Sequence, residues 1–322
     1  LTNQENNSMF GMIGVDLTES GALFKSQGQE NTNNNITINT DYMLFVGNRV
    51  NNSDGNAYLF YNNNNSTLNL SANSINIDGN SVSSKNNSIY LFYNSSLSTV
   101  NIGSEITKTI SISNNEVKGV SEVYLFYNKN STLTLTANST DITQNTLSPV
   151  YTFDGNDEDK YAVVINNEGK LNINLYGDAP SFTLANNKMT EEGKSVIGIL
   201  NSSEVNFINN SDTEAKVILG HDIRSFYYTK ESGTWQYKTN HEAIKSTITF
   251  KNSEGNTNGS FLIDLGLNMI ETNTLNLETN TTLLLTINGS ELIGNLKGVG
   301  TDSKLNISDG KILTVKYNTE GL

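Results

Sequence analysis

Two short patterns recur in step along this chain, and their shared period constrains its fold more tightly than anything else in the sequence. In the first, a run ending in Asn leads through a short link to an apolar–Asn/Thr–apolar triplet. Asn62 precedes LNL at Leu68, Asn94 precedes VNI at Val100, and Asn128 precedes LTL at Leu133. Asn166 then precedes LNI at Leu171, and Asn201 precedes VNF at Val205, so successive Asn residues stand 32, 34, 38 and 35 apart. The second pattern is an apolar residue, two further residues, Asn, one residue and another apolar residue. It reads FVGNRV from Phe45, IDGNSV from Ile77, ISNNEV from Ile112, ITQNTL from Ile142 and LANNKM from Leu184, placing Asn at 48, 80, 115, 145 and 187.

The two series interleave, so each period holds about three short strands separated by turns; no sustained helical periodicity accompanies them. β-branched and aromatic residues fill the runs, and Asn and Gly fill the links. Three short strands repeated in register are one rung of a solenoid in which each rung lies about 4.8 Å above the last and buries its neighbours. The chain is therefore read as all-β, a single-stranded parallel β-helix. Stacked Asn side chains can hydrogen-bond from rung to rung, and Asn tolerates left-handed turn geometry. Both series, Asn48/Asn80/Asn115/Asn145/Asn187 and Asn62/Asn94/Asn128/Asn166/Asn201, are expected to form such ladders. One continuous solenoid over 1–322 is expected, with a first rung or cap over 1–40 and regular rungs of 32–38 residues over 41–220. An excursion over 221–260 carries both His and the one Trp, and further rungs follow over 261–322.

One strand breaks the expected alternation three times: AYLFYN from Ala57, IYLFYN from Ile89 and VYLFYN from Val123. A strand with one buried face alternates apolar and polar, and Tyr-Leu-Phe-Tyr does not. Aligning Asn62 with Asn201 sets Leu59 opposite Gly198, and a position that accepts Gly reads as outward. Phe60, Phe92 and Phe126 then stack in the core, and Leu59/Tyr61, Leu91/Tyr93 and Leu125/Tyr127 form an outer apolar stripe. That stripe is either covered by an inter-strand loop or the excursion, or is an adhesive surface. Tyr227, Tyr228, Trp235 and Tyr237 make the excursion a second candidate binding element.

Composition narrows the function. A formal charge of −13 disfavours nucleic acid and anionic lipid as partners. No stretch approaches the roughly 20 apolar residues that cross a bilayer, and the first residues carry no signal-peptide pattern, so neither membrane insertion nor an attached leader is expected for this chain. The absence of Cys excludes disulfides and thiolate chemistry. There is no Gly-x-Ser-x-Gly, and HEAIK at His241 ends in Lys245 instead of the second His of a zinc motif. His221 and His241 read as surface or turn residues. Asp154, Asp157 and Asp159, in DGNDEDKY, are the best candidates for a Ca²⁺ site or for acid/base groups, because Ca²⁺ prefers several hard oxygen ligands on a flexible loop. Otherwise no cofactor is expected.

The Phe45-to-Asn48 spacing, repeated with other apolar residues at Ile77–Asn80, Ile112–Asn115, Ile142–Asn145 and Leu184–Asn187, resembles the Phe-x-x-Asn repeat of bacterial autotransporter passenger domains of the polymorphic membrane protein type. Tyr-Leu-Phe-Tyr-Asn stands where that family has Gly-Gly-Ala-Ile. GNLKGVGTDSKLNISDGKILTV from Gly294 is similar to a widespread autotransporter repeat. The resemblance implies a right-handed β-helix displayed on or secreted from the bacterial surface, with leader and translocator outside this chain. The expected function is a non-enzymatic adhesin, monomeric in dilute solution, that binds a host-cell protein or glycan, or itself, through a lateral face. A polysaccharide-degrading glycosidase or lyase on the same fold, or a phage or surface-layer fibre, are the alternatives.

Overall fold

The computed structural model describes residues 8–19, 21–28, 33–119, 123–149, 161–190, 195–225, 227–231, 234–238, 246–288, 291–293, 296–298 and 303–319. Among these every element is a strand, and nearly all pairings are parallel between successive turns of the chain, as a parallel β-helix requires. Three sheets form its walls. One starts at Met9–Ile13 and passes through Tyr42–Val46, Ser74–Asp78, Thr109–Ser113, Ser139–Thr143, Ser181–Ala185, Glu214–Leu219 and Ser260–Gly266 to Asn280–Asn288. A second, narrow sheet stacks Asp16–Thr18, Arg49–Asn51, Ser81–Ser83, Glu116–Gly119, Thr146–Pro149 and Lys188–Met189, and goes no further among the described residues. The third contains both the Tyr-Leu-Phe-Tyr strands and the apolar–Asn/Thr–apolar strands, with Thr67–Ser71, Thr99–Gly103 and the end of Val123–Ala137 in register.

In the apolar–Asn/Thr–apolar strands the alternation is simple. Leu68, Val100, Leu133, Leu171 and Val205 face inward and are buried, while the intervening Asn69, Asn101, Thr134 and Asn172 face out. Down the centre, Phe60 stacks on Phe92 at 4.3 Å and Phe92 on Phe126 at 4.7 Å between ring centroids, with planes within 6° of parallel. Phe207 and Phe250 repeat the stack further along at 4.6 Å. Identical neighbours at one rung spacing let flat rings pack without gaps, the condition for dense interior packing.

The Tyr-Leu-Phe-Tyr strand departs from expectation, and the reason is a corner. Leu59, Leu91 and Leu125 are not outward: each is 0% exposed and packed in the same core as the Phe beside it. The pairing pattern steps over them, joining Tyr58 to Tyr90 and Phe60 to Phe92 but not Leu59 to Leu91. The same residue is skipped at Leu91/Leu125, Leu125/Val164 and Val164/Gly198. Both strands of each pair skip one residue at the same level with the register unchanged, which leaves the wall free to bend there. Here the bends coincide, so the wall turns a corner at which two consecutive side chains point inward and the Tyr on either side points out. Gly198 occupies this inward column because of crowding: an added Cβ would lie 2.9 Å from Leu184 Cδ2 and 3.0 Å from His221 Cβ. Tolerance of Gly marked a narrow interior, not an outer face.

Both Asn ladders form. Asn48 Nδ2 donates to Asn80 Oδ1 at 2.9 Å, Asn80 to Asn115 at 2.8 Å, Asn115 to Asn145 at 2.9 Å and Asn145 to Asn187 at 2.9 Å. The second amide proton of each donates to a carbonyl of the preceding rung, as Asn80 does to Phe45 O and Asn115 to Ile77 O. Each Oδ1 also accepts a backbone N–H, for example that of Asn80 on Asn115. The left-handed residue is the one before each ladder Asn: Gly47 and Gly79 (φ 63° and 61°), then Asn114, Gln144 and Asn186 (φ 53°, 58° and 56°). That turn aims the amide inward.

The second ladder runs Asn62, Asn94, Asn128, Asn167, Asn201 at 2.8–2.9 Å. Asn167 replaces the expected Asn166, which instead pairs with Tyr127 on the outer face. The NN pair offered two candidates, and the register shift between Lys129 and Thr132 decided between them. At its start the ladder meets Ser26, in register with Asn62. Ser26 Oγ and Asn62 Oδ1 are both buried and without a partner, because Ser is too short to span a rung. Ser26→Asn is expected to extend the ladder and raise stability by about 1 kcal/mol. The urea midpoint measures this; an unchanged or lower midpoint would remove Ser26 from the ladder.

Candidate functional site

Tyr on both sides of a corner, repeated at one rung spacing, gives two outer columns of rings: Tyr58, Tyr90, Tyr124 and Tyr61, Tyr93, Tyr127. Within columns the first two rings lie nearly parallel, Tyr58 on Tyr90 at 5.5 Å and 9°, Tyr61 on Tyr93 at 5.2 Å and 3°, and the third turns away, Tyr93 to Tyr127 by 21° and Tyr90 to Tyr124 by 44°. Between columns the first two rungs meet edge to face, Tyr58 against Tyr61 at 4.8 Å and 66°, Tyr90 against Tyr93 at 5.2 Å and 66°, whereas Tyr124 and Tyr127 lie parallel at 5.8 Å and 5°. Such pairs add roughly 0.5–1.5 kcal/mol each beyond the area they bury, so the cluster holds its own geometry. Tyr58, Tyr90 and Tyr124, absent from the expected stripe, are half of it. Their signal was the Tyr flanking Leu-Phe on the N-terminal side.

The stripe is open at one end and covered at the other. Tyr58, Tyr61 and Tyr93 are half-exposed, whereas Tyr124 and Tyr127 are 4% and 7% exposed. The columns continue as Val163, Ile197 and Leu200, all buried although on the outer face. At the open end Asn56 Nδ2 donates to the Tyr58 hydroxyl at 3.0 Å and Asn63 Nδ2 to the Tyr61 hydroxyl at 2.8 Å. The Lys25 ammonium stands 5.5 Å from the Tyr61 ring centroid. Burial pushes the Tyr61 hydroxyl above the usual phenol range, against the pull of the Asn63 bond, so it stays protonated and keeps a proton to donate.

Of the other candidates, Tyr227 and Tyr228 lie on Tyr227–Glu231, and Trp235 and Tyr237 on Thr234–Lys238; these strands form an antiparallel hairpin. Their side chains, like Asp154, Asp157, Asp159 and His241, lie outside the described residues. The excursion is shorter than expected, since Asp222–Arg224 and Thr247–Asn252 already pair with wall strands. Among the described residues no three His, Asp or Glu side chains converge to hold a metal.

His221 has a role its sequence position did not suggest. It ends the first Asn ladder, its Nε2 accepting the Asn187 backbone N–H at 3.0 Å. The corner there is one residue shorter, Leu219-Gly220-His221 against Leu184-Ala185-Asn186-Asn187, and the longer imidazole makes up the reach. Burial lowers its pKa to about 4, only partly opposed by Asp222, so the ring is neutral at pH 7. The unfolded state, with an ordinary pKa of 6.5, binds the proton first. Stability is therefore full above about pH 6.5 and falls as pH drops toward 4, by about 2 kcal/mol after discounting for partial solvent exposure. Urea unfolding at pH 7 and pH 4 should show this fall, and His221→Gln should flatten it.

No protein-family model, curated protein or solved structure matches this chain, so what the site can do is argued from its geometry alone.

Proposed function

We propose that this chain is a non-enzymatic adhesin: a rigid β-solenoid, displayed at a bacterial surface, that uses a lateral face to hold a glycan or protein of another cell. The observation that carries this reading is the half-open tyrosine cluster. Tyr is a large, stiff side chain with an apolar body and a polar tip, and it immobilises at low entropic cost. A monomeric protein seldom leaves several in one pre-organised outer patch without using it. The solenoid supports the same reading, because walls stacked by ladders and rings hold the patch in one shape. Absence of recognisable nucleophile and metal motifs from the sequence argues against the enzymatic alternative.

Tyr61→Ser/Tyr93→Ser in the full chain should lower binding on glycan and host-protein arrays at least tenfold while leaving the circular dichroism spectrum unchanged. Cells displaying the wild-type chain should adhere or clump. Failure of the wild type to bind any array component, with no adhesion by displaying cells, would sink the proposal.

A further inference from the structure

Just past the tyrosine columns the wall turns, and that turn holds the only apolar side chain on a left-handed backbone among the described residues. Ser96 and Leu97 have φ of 59° and 60°. One rung before, Asn64 and Asn65 hold the same geometry at 58° and 56°, and one rung after, Asn130 holds it at 49°. Backbone hydrogen bonds stack the three turns, Asn65 N–H to Ser96 O and Leu97 N–H to Asn130 O, each 3.0 Å. Asn suits this conformation because its short polar side chain bonds locally, whereas in Leu the Cβ crowds the following carbonyl at a cost in free energy. Packing does not offset that cost: at 75% exposed, Leu97 is the most exposed large hydrophobic residue described. A lone exposed Leu is ordinary. A strained one whose rung neighbours are both Asn has no reason in the fold and points to a use.

From this we infer that Leu97 is an anchor for a partner protein, inserted into an apolar pocket of that protein, with the half-open tyrosines forming the rest of the contact. The inference rests on the lateral-binding reading above and names the partner class, protein and not glycan. Leu97 follows Tyr93 by four residues. The turn opens directly beyond the tyrosine column, since Asn63, whose amide donates to the Tyr61 hydroxyl, stands two residues before Asn65, the rung neighbour of the Ser96–Leu97 turn. A branched aliphatic tip makes no hydrogen bond and has no flat face, so a hydroxylated sugar gains little from it. In an apolar pocket the same tip contributes in proportion to the area removed from water. Neither 62–66 nor 94–98 carries a charged residue, in a chain of net charge −13, so the contact at this turn forms by burial and not by ionic attraction.

Leu97→Asn, which copies both rung neighbours, separates binding from folding. The full 322-residue chain and this variant are compared on an array of purified cell-surface and extracellular-matrix proteins, each immobilised singly, printed beside glycans, and both are unfolded in urea. The wild type should bind protein components, and its affinity should hold as salt is raised. Leu97→Asn should weaken that binding at least tenfold while its urea midpoint rises, so that the loss cannot come from misfolding. Leu97→Met should keep the affinity within about threefold. Protein binding that survives Leu97→Asn, or a midpoint that fails to rise, overturns the anchor. Wild-type binding to glycans alone also overturns it, and if that binding depends on Tyr61 and Tyr93 the lateral face stands without Leu97.

Discussion

Asn115→Ala is expected to destabilise the protein by roughly 5 kcal/mol, more than an ordinary polar truncation costs. Asn115 is 0% exposed at the centre of its ladder. Its removal strips the acceptor from both the backbone N–H and the amide of Asn80, and the donor from the Ile77 carbonyl. Each buried orphan costs about 1–3 kcal/mol, and no other group in the ladder can turn to replace what is lost. The surface offers an internal control. Asn101 donates to Asn69 at 2.8 Å in a column that looks similar in sequence but lies half-exposed on the outer face. Water can take over there, so Asn101→Ala should cost under about 0.5 kcal/mol. Urea unfolding of both variants measures the contrast. Comparable losses would mean that burial does not set the worth of these amides.

Phe92→Ala should cost about 3–5 kcal/mol. The ring is 2% exposed and sandwiched between Phe60 and Phe126 at 4.3 and 4.7 Å. In a solenoid the neighbouring rungs are pinned by their own hydrogen bonds and cannot collapse into the gap, so the cavity penalty adds fully to the transfer term. Phe92→Leu, which keeps most of the volume, should recover more than half of the loss. Equilibrium unfolding of the two variants beside Tyr93→Ala, whose ring sits on the partly solvated outer column, separates core packing from the patch. A Phe92→Ala loss below about 1.5 kcal/mol would show that the stack relaxes.

Much of this was legible in the residues. Period, strand content and parallel stacking followed from the two interleaved Asn patterns, and eight of those ten Asn positions needed only their spacing to be placed with their true neighbours. Asn201 also held its place, but through Asn167 and not Asn166. A one-residue choice inside an NN pair cannot be made from spacing when the rung it belongs to carries a bulge. The three Phe were assigned to the core by the same alternation that put Leu59, Leu91 and Leu125 outside, and only half of that deduction survived. Period-two reasoning assumes a straight strand, and these strands bend.

The site shows the same division. Tyr61, Tyr93 and Tyr127 were visible as an outer column; Tyr58, Tyr90 and Tyr124 were not, because their outward direction depends on the skipped residue at the corner. By itself the sequence determined that rungs repeat and which side chains recur at each level, since stacking identical residues needs only a common period. The tertiary structure alone decided which way each recurring side chain points and which end of the tyrosine patch stays open. Direction at a corner depends on how the whole stack of skipped residues bends together. Exposure depends on chain segments far away in sequence.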